Sequence, residues 1–299
     1  MSKPSKIAWN PEAEQELART PFFVRALVRR KVEERVAAAG RTRVTLADFR
    51  EAEVRHRAVM AGKSEAEAMR MLPRPNEPGV DMVIVEVCQN ELSGCPNPLI
   101  KTGEWREALE RWVKENNLSE RLRARVKEDT IKFHHKFRFS LAGCPNACSR
   151  PQIADIGLVG FARPEFDPGE CEKCGACAEV CPDRVITCDA GPPWFNLDEC
   201  QGCQLCARAC PRGCIALSRP RVRILAGGKL GRHPRLAQVM AEVETTDQAL
   251  KLIAPIVNDY IIHAAPNERF ADFLARSWTK AEKDINHRDT EDTEKKRKK

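Results

Sequence analysis

Apolar positions spaced three to four apart mark the helices of this chain, and apolar positions in alternation mark its strands. Val24, Val28, Val32 and Val36 recur every fourth residue after Pro21, and Gly40 follows where a helix would stop, so this stretch is expected to be helical. Thr45 opens a second helix, with Asp48 in the capping-box position. Residues 1–60 therefore read as a small helical domain. Residues 61–79 close on MLPRPNEPG and read as a proline-rich linker. A new domain is expected from about Val80. Met82 to Val87 is a short apolar run that delivers Cys88 at the tip of a buried strand. Glu104 to Lys114 puts Trp105, Leu109 and Trp112 on one helical face, a core pattern. Phe137, Phe139 and Leu141 alternate with Lys136, Arg138 and Ser140, so a half-buried strand carries two cations on one face just before Cys144. Ile156 to Phe161 reads as another strand, and Val222 to Leu225 as one running into GGKLGR. Leu250, Ile253, Val257 and Tyr260 mark an amphipathic helix from Asp247 to His263, which Pro255 is expected to bend. After Trp278 the chain is almost wholly polar, and residues 277–299 read as a disordered charged tail. The fold class is α+β.

Composition narrows the chemistry. Hydrophobic residues make up 42% and charged residues 31%, with no uninterrupted apolar stretch long enough to cross a bilayer. The opening MSKPSKIAWNPEAEQE lacks the apolar core of a secretion signal, which predicts a cytoplasmic protein with reduced thiols. Fourteen cysteines in that setting point to metal, not to disulfides. The net charge of +7 is spread along the chain, with its densest run in the terminal KKRKK. A solvated tail, or docking to an acidic partner or an anionic substrate, accounts for it, and no nucleic acid is expected.

The strongest signal is a repeated CxxCxxCxxxCP. Cys171, Cys174, Cys177 and Cys181 precede Pro182, and Cys200, Cys203, Cys206 and Cys210 precede Pro211. Three thiolates on a tight loop reach three corners of one 4Fe-4S cubane, while the fourth reaches the neighbouring cluster. One cluster is therefore assigned to Cys171, Cys174, Cys177 and Cys210, and the other to Cys200, Cys203, Cys206 and Cys181. Paired CxxC also serves zinc, but zinc explains neither the interlocked spacing nor the trailing proline. Cys88, Cys95, Cys144 and Cys148 lie outside the repeat and make a candidate third site. Cys188 and Cys214 remain, and are expected to pack near a cluster. His134 and His135 adjoin the Lys136 strand, so at most one of them is expected to face a site there.

The segment KFRFSLAGCPNACSRPQIADIGLVG, residues 136–160, resembles the siroheme-dependent sulfite and nitrite reductases, specifically the dissimilatory and anaerobic types with an inserted two-cluster ferredoxin. VRILAGGKLGRHPRL, residues 222–236, looks like the returning glycine-rich turn of that family. The resemblance implies a reductase-type domain over 80–165 and 219–276, with the ferredoxin insert at 166–218. It also implies that Cys88, Cys95, Cys144 and Cys148 hold a third 4Fe-4S cluster, which Cys148 bridges to the siroheme iron. Lys136, Arg138 and Arg150 match the cations expected at the anion, and Lys229 and Arg232 are candidates for the macrocycle carboxylates. The family usually has five residues between the first two of these cysteines, whereas this chain has six.

Family enzymes also carry a ferredoxin-like half-domain before the cluster motif. This chain has the helical unit there, and WNPEAEQELARTPFFVRALVRRKVEERVAAAG with TLADF resembles the small C-terminal domain of a light-independent protochlorophyllide reductase subunit. Two readings follow. The first is an oxidoreductase subunit that relays electrons through 4Fe-4S clusters to sulfite or nitrite on siroheme, fed by a redox partner protein and completed by a partner subunit. The second is a siroheme-free electron-transfer protein serving a partner enzyme.

Overall fold

The computed structural model describes residues 7–20, 22–60, 73–90, 94–188 and 191–277. The chain divides into two units, Met1–Pro75 with Thr130–Phe133, and Asn76–Asp129 with His134–Lys299. Residues 61–72 of the linker expected over 61–79, and residues 278–299 of the tail expected over 277–299, lie outside the described residues.

In the first unit, Ala8–Trp9 pairs in parallel with Arg43–Val44, and there are three helices, α1 (Pro11–Arg19), α2 (Phe22–Ala38), which carries the valine pattern, and α3 (Leu46–Met60). Pro11 opens α1, where its missing N–H is not needed. Val32 and Val36 of α2 pack with Ala13 and Val44 into the core. Beyond α2, Gly40 takes the left-handed conformation (φ +71°) usual after a helix end. The Thr45 N–H donates to Asp48 Oδ2 at 2.8 Å and the Asp48 N–H donates to Thr45 Oγ1 at 3.4 Å, the reciprocal cap expected from the sequence. Burial opposes the Asp48 charge, but Arg41 at 2.6 Å and Thr45 outweigh it and hold this carboxyl below its usual range. Thr45→Ala is expected to cost about 1 kcal/mol, read as a lowered urea midpoint of this unit.

The second unit is built on one sheet. Its strands are β1 (Val83–Val87), β2 (Phe137–Ala142), β3 (Ile156–Phe161), β4 (Arg221–Ala226) and β5 (Gln238–Val243), lying side by side in that order. The first three are parallel, and β4 and β5 are antiparallel to their neighbours. Phe137, Phe139 and Leu141 are buried, as the alternation predicts. The Trp112 ring of α4 (Thr102–Glu115) meets Phe139 edge-on with centroids 6.2 Å apart. Tyr260 of α5 (Thr246–His263) packs against Phe137 at 6.1 Å, and its hydroxyl donates to the Glu268 carbonyl at 2.8 Å. Both helices thus cover the same face of β2. Pro255 lies within α5, which runs through it. His134 and His135 sit in a 3-10 turn, Phe133–His135, and not on a strand, because β2 begins only at Phe137. Successive side chains in such a turn point roughly 120° apart, and the two rings lie 4.3 Å apart. The pair is therefore not split between opposite faces as a strand would require.

The other face of the sheet carries the chain from Cys144 to Asp155. Close approach of backbones makes this possible. A Cβ on Gly157 would lie 2.4 Å from the Pro151 carbonyl oxygen, and one on Gly228 would lie 2.5 Å from that of Gln152. The glycines of the Asp-Ile-Gly-Leu and GGKLGR segments therefore let one short loop sit directly on the sheet.

Candidate metal centre

Parallel pairing of β1 and β2, with Val87 beside Leu141, makes Cys88 and the Gly143–Cys148 loop leave the sheet at the same edge. The Cys88 N–H donates to the Leu141 carbonyl at 2.9 Å, and the Gly143 N–H donates to Cys88 Sγ at 3.2 Å. Asn90, buried, accepts from the Cys88 thiol at 3.2 Å and from Thr102 at 2.8 Å, and its carbonyl accepts the Cys95 N–H at 3.2 Å. On the other side, Ala147 turns through a left-handed conformation (φ 53°) and Asn146 Nδ2 donates to Cys148 Sγ at 3.0 Å. Burial pushes the Cys144 thiol up, and the proximity of Cys148, Cys88 and Cys95 pushes it further. Four soft sulfurs thus converge here, with Cys148 exposed at the rim.

The two motifs fold alike and interlock. Cys171, Cys174 and Cys177 line one cavity together with Cys210 from the other motif. Conversely, Cys200 lies close to Cys203 and to Cys181 of the first motif, and Cys206 lies close to Cys200 and Cys203. Burial, with neighbouring thiols, pushes Cys177 and Cys206 up to about 11. Such thiols are poor anions alone, and a bound cation that takes their lone pairs reverses this. Backbone N–H groups already point at the sulfurs: those of Arg212, Cys214 and Gly213 outweigh burial and lower Cys210. Beside Cys200, the half-buried guanidinium of Arg223 lies 3.7 Å from Glu242, which Arg163 and Arg221 also approach at 3.2 Å. Among the described residues, no three His, Cys, Asp or Glu side chains close around a single ion. One group of thiols lines a cavity instead, and soft sulfur donors of this kind suit iron–sulfur clusters.

The cations are less uniform. Lys136 is 6% exposed and Arg138 half-buried. The Arg138 guanidinium contacts Glu86 at 2.7 Å and the Ile153 carbonyl at 3.3 Å, so the loop returning from Cys148 reaches this strand. Arg150 is exposed, with a left-handed backbone (φ 59°). Lys229 is 8% exposed and ion-paired with Asp272, and Arg232 is exposed on the turn after it.

Sequence reasoning gives Asp155 no role beyond the family resemblance, since a lone acid ahead of an apolar run is its only signal. Its carboxylate is buried and accepts the Arg138 N–H at 2.8 Å. Burial outweighs that bond and the nearby Arg269 and Arg138 charges, lifting it from 3.8 to about 6. The folded state therefore holds a proton that the unfolded chain releases. Its stabilising contribution is full below 3.8 and is lost as pH rises through about 6, a loss of about 3 kcal/mol at most. Asp155→Asn is expected to flatten that decline, seen in anaerobic urea midpoints across the window.

The family model described as the nitrite and sulphite reductase 4Fe-4S domain matches residues 86–280, and that of the proto-chlorophyllide reductase 57 kD subunit matches residues 9–52. The coenzyme F420-dependent sulfite reductase of Methanocaldococcus jannaschii is 44% identical over 66 residues, covering 21% of this chain and 11% of that protein. One subunit of the anaerobic sulfite reductase of Salmonella typhimurium is 38% identical over 48 residues, covering 16% of this chain and 14% of that relative. The chain thus spans only about an eighth of the length of these curated relatives. Among solved structures, a dissimilatory sulfite reductase I aligns with a TM-score of 0.45 at 17% identity, covering 64% of this chain and 49% of that one. Matched by its family model over more than half of its 299 residues, the chain belongs to the nitrite and sulphite reductase 4Fe-4S domain family.

Proposed function

We propose that this chain is the iron–sulfur part of a sulfite/nitrite reductase-type oxidoreductase, relaying electrons through three 4Fe-4S clusters to an anion held at siroheme. One observation carries this reading: the three thiol groups are joined in series. Cys181 of the first motif lies close to Cys200 of the second. From the second motif, Gln204 and Arg208 donate to the Asn97 carbonyl and side chain, each at 2.8 Å, two residues beyond Cys95. The Ala162 N–H, at the end of β3, donates to the Gly202 carbonyl at 3.1 Å. Each group therefore abuts the next, as one-electron steps require.

A cluster in each group would supply single electrons, and siroheme, when bound, would supply the iron at which the anion accepts them. The chain's own residues would do the rest. Cys148, exposed and steadied by Asn146, presents sulfur at the rim of its group. Arg150, with Lys136 and Arg138, would draw the anion and stabilise charge on its departing oxygens. Lys229 and Arg232 would hold carboxylates of the macrocycle. Sulfite is the preferred substrate, because the curated relatives are sulfite reductases. The setting is a reducing one such as the cytoplasm, with a redox partner as donor and a second polypeptide, the partner subunit, to close the siroheme pocket.

A siroheme-free relay is the second reading, and one fact favours it. Lys229 is neutralised by Asp272, and Arg138 by Glu86, before any macrocycle is bound. The absorption spectrum of anaerobically purified protein decides between the two. A Soret band and a red band that survive desalting are expected. Iron–sulfur absorbance without either band would leave only the relay.

A further inference from the structure

The two cysteine motifs are copies in backbone as well as in spacing. Left-handed residues fall at equal offsets: Lys173 and Gly202 (φ 56° and 72°), Gly175 and Gln204 (75° and 68°), Arg184 and Gly213 (55° and 68°). Each copy carries one short helix, Ala176–Glu179 or Leu205–Ala209, and each leads into a short strand, Ile186–Thr187 or Ile215–Leu217. In this correspondence Val185, four residues after Cys181, matches Cys214, four after Cys210. Both are 6% exposed. Cys188 likewise matches Leu217.

Those two positions break the equivalence, and they break it on one side only. Cys188 and Cys214 both line the cavity formed by Cys171, Cys174, Cys177 and Cys210. The Cys214 N–H donates to Cys210 Sγ at 3.3 Å, which holds the Cys214 side chain beside that sulfur in the same cavity. Cys188 packs against the buried group that contains Cys177. An S–H donor on a ligand sulfur stabilises the extra negative charge that a cluster gains on reduction, which raises its potential. Valine and leucine have no such donor.

We propose that Cys214, aided by Cys188, selectively raises the reduction potential of the cluster held by Cys171, Cys174, Cys177 and Cys210. The two thiols are positioning residues. They act through ligand sulfurs and leave the electron to come from the donor protein. The proposal rests on the cluster-binding reading above.

The test is an anaerobic redox titration of the full-length holoprotein, followed by electron paramagnetic resonance with iron counted in every sample. Cys214→Val, which copies Val185, is expected to lower one couple so that its reduced fraction at fixed potential falls roughly tenfold, about 59 mV for one electron. Val185→Cys is expected to raise a different couple by a similar amount. Cys188→Ala should lower the couple that Cys214→Val lowers. If Cys214→Val leaves every couple in place, or moves the same couple as Val185→Cys, the proposal fails. It fails also if Cys214→Val loses iron that the unaltered protein keeps, since Cys214 would then be a ligand. If Cys214→Val does not fold, Val185→Cys decides alone: a raised couple supports the proposal, and none overturns it. An unaltered protein without clusters would instead overturn the underlying reading.

Discussion

Cys206→Ala and Cys210→Ala each remove about four irons per chain, and the double variant removes about eight. That sum follows from crossed ligation. Cys206 and Cys210 belong to one motif, yet Cys210 lines the cavity of Cys171, Cys174 and Cys177, while Cys206 lies with Cys200 and Cys203. Cys181→Ala combined with Cys206→Ala should behave oppositely: these two come from different motifs, but both lie by Cys200. That pair loses only about four irons, because a cubane that has lost one ligand has little left to lose from a second. Iron analysis of the two double variants separates crossed ligation from one cluster per motif. In the latter case the two results would be interchanged.

The second large effect is expected at a residue that carries no side chain. Gly157→Ala places a Cβ 2.4 Å from the Pro151 carbonyl oxygen and 2.8 Å from Pro151 Cβ. A backbone carbonyl cannot swing aside as a side-chain tip does. The Cys144–Ile153 loop must lift from the sheet, taking Cys144 and Cys148 away from Cys88 and Cys95. The cost is about 3 kcal/mol or more. About four irons should be lost and about eight retained, since the two motifs lie on a separate stretch of chain. Retention of all iron with an unchanged urea midpoint would show that the loop does not depend on this contact.

Much of this arrangement is visible in the chain before it folds. The spacing of the repeated motif suits a cubane, and the placing of Cys181 near Cys200 and of Cys210 with Cys171, Cys174 and Cys177 is what the reach of a fourth ligand predicts. Strands with one face buried against helices announce themselves by alternation, as Phe137 to Leu141 does. Strand β5 does not. It lies at the sheet edge with Val239 and Met240 exposed, and a bulge opposite it falls between Ile224 and Leu225. With those positions exposed, this strand buries too little to print a period. The cap of α5, where the Gln248 N–H donates to Thr245 Oγ1 at 3.3 Å, lies ahead of the apolar pattern, which by itself points to a start at Asp247. Asp155 is hidden for another reason. Its environment comes from residues far apart in sequence, among them Arg138 and Arg269, and no local pattern encodes such a meeting. The asymmetry between Cys214 and Val185 emerges only when the two motifs are overlaid as backbones.

The proposed electron relay requires iron and sulfide in all three thiol groups. Iron and acid-labile sulfide counted per chain in anaerobically purified, fully matured protein test this most directly. About twelve of each are expected from three cubanes, with one further iron where siroheme is bound. A colourless preparation, or one holding zinc without labile sulfide, would contradict it.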